Sequence, residues 1–194
     1  MKFKIYRYES VKSTNEVAIK LIKEKKKLSG CVVSNTQTKG KGTHGKTWVS
    51  KKGNLFISLF FCLKKKYPPF NEFSIINPII VSNSIKKYCK RDKVNLKFPN
   101  DILLNGKKVS GILQEVITMK SKKFLIVGVG VNINSNPVIV KKYKATNIYS
   151  MTKKKVYLEK IINDIVSSYE VFLNKLSLYN FDNFKKRLEK MAIF

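Results

Sequence analysis

The chain has 194 residues, 43% of them hydrophobic, which suits one large domain with a buried core and excludes wholesale disorder. Forty Lys+Arg against twelve Asp+Glu give a formal charge of +28, but all the bases except Arg7, Arg91 and Arg187 are lysines spread along the whole length. Base readout favours the arginine fork over lysine's hydrated point charge, so this charge does not by itself define a nucleic-acid-binding module.

Residues 3–8 alternate loosely, as a first strand does. Ser13-Thr14-Asn15-Glu16 has the spacing of a capping box and predicts a helix reaching about Lys27. Cys31–Ser34 reads as a short strand, and the glycine loop Lys39-Gly40-Lys41-Gly42-Thr43-His44-Gly45-Lys46-Thr47-Trp48 follows it. Asn54–Leu63 is apolar on both faces and predicts a covered strand. A helix is expected over 71–90, started or kinked by Pro78, then a strand over Val94–Phe98. Asn105-Gly106 is a hairpin signal joining 101–104 to 108–117. Phe124–Ile133 is a further strand. Amphipathic helices are expected from Tyr157, with Leu158 to Leu173 marking the apolar face, and from about Phe181 to Met191. The pattern predicts an α+β fold, a mixed and mainly antiparallel sheet packed with helices, in one domain.

Cys31, Cys62 and Cys89 are odd in number and lack CxxC spacing, so they read as core residues in a reducing compartment. No apolar run approaches the roughly 18 residues of a membrane span, and no signal peptide precedes Lys2. A cytoplasmic protein without a membrane partner is the expectation.

Four segments carry residues suited to chemistry. Ser13-Thr14-Asn15 opens a helix, where unpaired N–H groups favour anions, or simply caps it. The glycine loop, with Gln37 before it, lets backbone and lysines approach an anion, although its spacing is that of neither a P-loop nor a dinucleotide fingerprint. His44 is the only histidine and reads as a solvated loop residue. Lys97-Phe98-Pro99-Asn100-Asp101 sets a cation and a carboxylate at a strand end, fitting a phosphate with its Mg²⁺ or an ordinary turn. Lys107-Lys108-Val109-Ser110-Gly111-Ile112-Leu113 sends a lysine into a strand whose glycine admits close backbone approach.

Taken in order, Ser-Thr-Asn, Gln-Thr-x-Gly-x-Gly-Thr-x-Gly-x-x-Trp, Lys-Phe-Pro-Asn-Asp-Ile, Lys-x-x-Gly-Ile-Leu-x-Glu and Gly-Val-Gly-Val-Asn resemble the catalytic domain of biotin protein ligases over roughly residues 5–135. The resemblance implies the biotin–lipoate ligase fold, related to class II aminoacyl-tRNA synthetases. It also implies ATP-dependent attachment of biotin, through biotinyl-5′-AMP, to a lysine of a biotin carboxyl carrier protein such as that of acetyl-CoA carboxylase. ATP and biotin would be substrates, with Mg²⁺ required. By matched position, biotin falls to Ser13, Thr14, Asn15, Gln37, Lys41, Gly42, Thr43 and Lys108. The ATP or adenylate falls to Gly40, Trp48, Lys97, Asn100 and Asp101, with Asp101 also the candidate for the metal. Lys108, Lys41 and Lys97 would be catalytic. Lys41 and Thr43 stand where that family usually has arginines, and Phe98 where tryptophan is common, so looser retention of the adenylate is expected. No N-terminal DNA-binding domain and no DNA partner are expected, the small C-terminal β-domain usual in that family is expected to be absent or truncated, and a monomer or a homodimer is expected. A lipoate or octanoate ligase or transferase is the nearest alternative, and a basic nucleic-acid-binding module the alternative of another class.

Overall fold

Seven strands pair into one sheet in the computed structural model of the chain, which describes residues 1–137 and 144–193. They are β1 (Ile5–Val11), β2 (Ser29–Gln37), β3 (Leu55–Cys62), β4 (Val94–Lys97), β5 (Asp101–Leu104), β6 (Lys107–Met119) and β7 (Lys122–Val131). Their order across the sheet is β1-β2-β3-β7-β6-β5-β4. β1 and β2 are parallel and the remaining neighbours antiparallel, the α+β arrangement expected from the sequence. A parallel pair needs a crossover, and α1 (Thr14–Lys23) supplies it.

Strand alternation sends two different sets of side chains to the two faces. Leu55, Ile57, Leu59 and Phe61 of β3, with Leu125, Val127, Val129 and Val131 of β7, enter the main core. That core is shared with α2 (Phe73–Lys86), α4 (Leu158–Asn174) and α5 (Phe181–Met191). On the opposite face α1 packs Ala18, Leu21 and Ile22 on Val32, Phe60, Phe124 and Ile126. Beyond the N-terminus of α1 that face carries the site, beneath the glycine loop and Trp48.

Several expected boundaries move. The helix predicted over 71–90 is Phe73–Lys86 and contains Pro78 in its interior rather than at its start. Ten of its fourteen residues are buried, so packing on all sides holds it despite the N–H that proline lacks. α1 ends at Lys23, short of Lys27. β2 runs on to Gln37 because it stays in register with β1 as far as Val11. Asn105 and Gly106 both take positive φ, as the predicted hairpin requires. The short helix α3 (Ile148–Thr152), capped by Asn147 Oδ1 on the Ser150 N–H, is an addition to the expected elements.

The capping box is not formed. Ser13 occupies the N-cap position with extended backbone, but its side chain makes no cap hydrogen bond. Glu16 turns away to pair with Lys41 across 2.8 Å. The Thr14 N–H is capped instead by Gln37 Oε1, at 2.8 Å. A side chain from the neighbouring strand thus relieves Ser13 of the local task its sequence suggests.

Candidate active site

The hollow is made by small residues sharing one face of adjacent strands. Ser58 of β3 lies opposite Gly128 of β7, which lies opposite Leu113 of β6. One row along, Phe56 faces Gly130, and Gly130 faces Gly111. With no side chains at 111, 128 and 130, other groups descend onto the sheet. A Cβ on Gly128 would stand 2.4 Å from Asn15 Oδ1. One on Gly130 would stand 2.4 Å from the Trp48 indole, and one on Gly111 2.8 Å from it.

The floor is a polar chain delivered by four elements, α1, β2, β3 and β6. Thr14 donates its N–H and its hydroxyl to Gln37 Oε1. Ser58 Oγ lies 2.7 Å from Thr14 Oγ1 and also bonds Asn15 Oδ1, while Asn15 Nδ2 donates to Glu115 Oε2. The backbone N–H of Thr14 fixes which end of the Gln37 amide faces it, and the Glu115 carboxylate fixes the Asn15 amide. Two hydroxyl protons then serve three oxygen contacts, so the floor has lone pairs in surplus. It is matched to a ligand that donates N–H or O–H groups. The Ser13 hydroxyl, in a residue only 2% exposed, lines the same cavity.

The roof is cationic. The glycine loop folds back on itself through Gly42 N–H to Lys46 O and Trp48 N–H to Gly40 O. A 3-10 turn at Thr43–Gly45 has His44 in the left-handed region, with its side chain exposed. Hydrogen bonding to Glu16 raises the Lys41 pKa above its ordinary value, so this ammonium stays charged. Lys108 Nζ lies 2.7 Å from Asp101 Oδ1 and 5.4 Å from the centre of the Trp48 ring. A register shift between β5 and β6 at Ile102/Leu103 turns the start of β6, and residues 144–146 hold its backbone. Lys41, Lys46, Thr43 and Trp48 all line the cavity. Its open space is about 120 Å³, below the roughly 300–1,000 Å³ of small-molecule sites. The indole fills the part of the hollow over Gly111 and Gly130. The Trp48 Nε1–H is buried there without an acceptor among the described residues.

Most of the sequence-derived candidates meet in this cavity: Ser13, Thr14, Asn15, Gln37, Lys41, Gly42, Thr43, Trp48, Asn100 and Lys108 line it. Asn100 donates to Thr43 Oγ1 and to the Ile112 carbonyl, tying the β4–β5 turn to the loop. Three candidates stand outside the lining. Asp101 lies behind Lys108 as its ion-pair partner. Lys97 faces Asp101 in the β4–β5 register, one strand further out and half-exposed. Gly40 works at the loop root, where a Cβ would meet the Trp48 carbonyl at 2.4 Å. Sequence reasoning missed Ser58, and it quoted Glu115 only as the last residue of the Lys-x-x-Gly-Ile-Leu-x-Glu motif, without a role. Ser58 had a signal, being the one polar residue in Leu55–Cys62.

A sequence model of the biotin/lipoate A/B protein ligases matches residues 8–132, which include the floor, the loop and the β6–β7 glycines. The chain belongs to the biotin/lipoate A/B protein ligase family. Among relatives in this family, the bifunctional ligase/repressor of Bacillus subtilis is 29% identical over 132 residues, covering 67% of this chain and 40% of that protein. The biotin–[acetyl-CoA-carboxylase] ligase of Paracoccus denitrificans is 32% identical over 129 residues, covering 64% of this chain and 52% of that one. The chain thus spans about half or less of the length of these relatives. The biotin protein ligase of Aquifex aeolicus, solved with biotin and ATP, superposes with a TM-score of 0.81 at 28% identity, over 98% of this chain and 79% of that one. The biotin/lipoate ligase fold is therefore shared almost end to end.

Proposed function

We propose that this chain is the catalytic unit of a biotin protein ligase, activating biotin with ATP and passing it to a lysine of a carrier protein. One observation carries the reading: a proton-poor polar floor lies directly beneath a roof of lysine ammoniums. That polarity fits a ligand with N–H donors at one end and a carboxylate at the other. The ureido ring of biotin would lie on Thr14, Asn15, Gln37 and Ser58, with Ser13 beside it, and its carboxylate would reach Lys41 and Lys108. Carboxylate attack on the α-phosphorus of ATP forms the acyl–phosphate bond and releases pyrophosphate. The charge that builds on the phosphoryl oxygens is what fixed ammoniums and loop N–H groups stabilise. The carrier amine then attacks the carbonyl of the mixed anhydride and AMP leaves. A closed glycine loop keeps water from that intermediate. Asp101 is committed to Lys108, and no group of three His, Cys, Asp or Glu side chains that could hold a metal occurs among the described residues. The cation would enter as part of Mg-ATP, held chiefly by the phosphates, with Asp101 its candidate protein ligand once released from Lys108.

The acetyl-CoA-carboxylase ligase of Paracoccus supports a biotin carboxyl carrier protein as the partner. No helix among the described residues is long and apolar enough to cross a membrane. Incubation with biotin, Mg-ATP and a biotin carrier domain, probed with avidin, should show labelling of the carrier. No labelling where a reference ligase works overturns the proposal. Lipoate in the same assay tests the other substrate of the family, and labelling with lipoate alone would reassign the site.

A further inference from the structure

The cavity floor and the loop above it are joined by one side chain that nothing described so far requires. Ser50 lies two residues beyond Trp48, outside the cavity lining. Its Oγ accepts from Gln37 Nε2 at 2.9 Å and donates to the Trp48 carbonyl at 3.1 Å. At its other end the same Gln37 amide accepts from the Thr14 N–H and hydroxyl on the floor. A continuous path therefore runs from Glu115 through Asn15, Ser58, Thr14, Gln37 and Ser50 to the backbone of Trp48. Gly40 completes the knot: the Trp48 N–H donates to its carbonyl, and a Cβ there would press on the Trp48 carbonyl, Ser50 Oγ and Gln37 Nε2 together.

We infer that Ser50 is a positioning residue for the lid, setting the register of Trp48 against the orientation of the Gln37 amide. The inference rests on the ligase reading of this cavity for its catalytic consequence, but the pin itself is made of the chain's own contacts. One amide has two ends, and α1 dictates which end points down. The remaining end meets a hydroxyl, which can accept from Gln37 and donate to Trp48 at once; no other side chain of that size does both except threonine or, weakly, cysteine. When a ligand engages Thr14 and Gln37, the amide is fixed more firmly, and through Ser50 the closed position of the loop is fixed with it. Without the hydroxyl, Gln37 Nε2 loses its acceptor and the Trp48 carbonyl its donor. The loop then opens independently of what lies on the floor.

The test compares Ser50→Thr with Ser50→Val in the full chain. These side chains have the same shape and differ by one hydroxyl, so a packing fault would appear in both. Without ligand, trypsin should cut at the loop lysines 39, 41 and 46 about tenfold faster in Ser50→Val than in wild type, the scale of losing two hydrogen bonds together. Ser50→Thr should match wild type. With biotin and Mg-ATP, Ser50→Val should release biotinyl-5′-AMP about tenfold faster while the KM for biotin moves less than about threefold. Equal trypsin rates in the two variants overturn the pin, whatever the activity. A wild-type chain that releases no pyrophosphate from biotin and ATP overturns the ligase reading instead, and the trypsin comparison still decides the role of Ser50.

Discussion

Gly128 and Asn15 show how one missing methyl group shapes the site. A Cβ at 128 would lie 2.4 Å from Asn15 Oδ1, closer than any side chain tolerates, and the obstacle is the group that orders the floor. Gly128→Ala should push Asn15 off Glu115 and Ser58 and weaken biotin binding at least about tenfold, or 1.4 kcal/mol, by calorimetric titration. The fold should survive, because the opposite face of β7 keeps Val127 and Val129 in the main core. An unchanged dissociation constant would mean that Asn15 does not hold the ligand. Lys41 offers a second test. It is paired with Glu16 and stands where the resembled family usually has arginine. An arginine could keep that pair and add a second parallel N–H toward a carboxylate or phosphate. Lys41→Arg should slow release of biotinyl-5′-AMP about fivefold to tenfold, the order of one added charge-assisted hydrogen bond, in a chase with unlabelled biotin. An unaltered release rate would leave the substitution without catalytic meaning.

Elements were readable from the sequence where one local signal dominated, and misread where a distant partner decided. Asn105-Gly106, the Phe181–Met191 helix and the apolar β3 run carry their own instructions in turn chemistry or periodicity. The capping box failed because Gln37, 23 residues away, caps Thr14 and because Lys41 draws Glu16 off. Glu115 closes the quoted Lys-x-x-Gly-Ile-Leu-x-Glu motif, but its role was not legible because it depends on Asn15, 100 positions earlier. Pro78 reads as a helix breaker, yet the helix is held by burial on every side. Two of the three cysteines lie in the core as expected, where burial pushes the Cys31 and Cys89 thiols up to about 12; Cys62 is only part-buried. The helical layer gives the test at this scale. Asp164 of α4 accepts from Lys87 Nζ at 2.6 Å and from the Tyr88 hydroxyl, both just past the end of α2. Burial raises its carboxyl pKa, but the hydrogen bonds from Lys87 and Tyr88 outweigh burial and hold the group below the ordinary 3.8. A depressed carboxylate stabilises the fold above its unfolded pKa and ceases to do so as pH falls through the folded value. Asp164→Asn should cost about 1 kcal/mol in urea unfolding at neutral pH, half-exposure of Lys87 keeping it at the low end. The gap to wild type should close in acid below 3.8. A gap that persists there would assign the loss to packing rather than charge.

For the whole molecule, the open question is what a charge of +28 does when the cavity uses only a few of its lysines. Lys41 and Lys108 are tied to Glu16 and Asp101, and Lys2, Lys87 and Lys185 to Glu170, Asp164 and Asp182. With only twelve acids in the chain, most lysines have no carboxylate to pair with. Away from the cavity, Lys87, Lys90, Arg91, Lys154 and Lys155, with Asp92, gather around one cleft between the segment after α2 and the end of α3 with the segment that follows it. A dispersed lysine surface attracts any polyanion by releasing its counterions, and that attraction collapses as salt rises. A built nucleic-acid site would add base stacking or bidentate arginine contacts, which persist. Only one of the chain's three arginines lies in the cleft, and the cleft offers no exposed aromatic side chain beyond Tyr88, whose hydroxyl is bound to Asp164. Binding to a mixed-sequence oligonucleotide should therefore be measurable at low salt and fall steeply on a log–log plot. At about 0.15 M salt, where the Debye length is about 8 Å, it should reach micromolar or weaker dissociation constants. Fluorescence anisotropy across that range decides the matter. A shallow slope with nanomolar affinity at the upper end would show contacts beyond counterion release, and the basic surface would then be a second binding site rather than a solvated exterior.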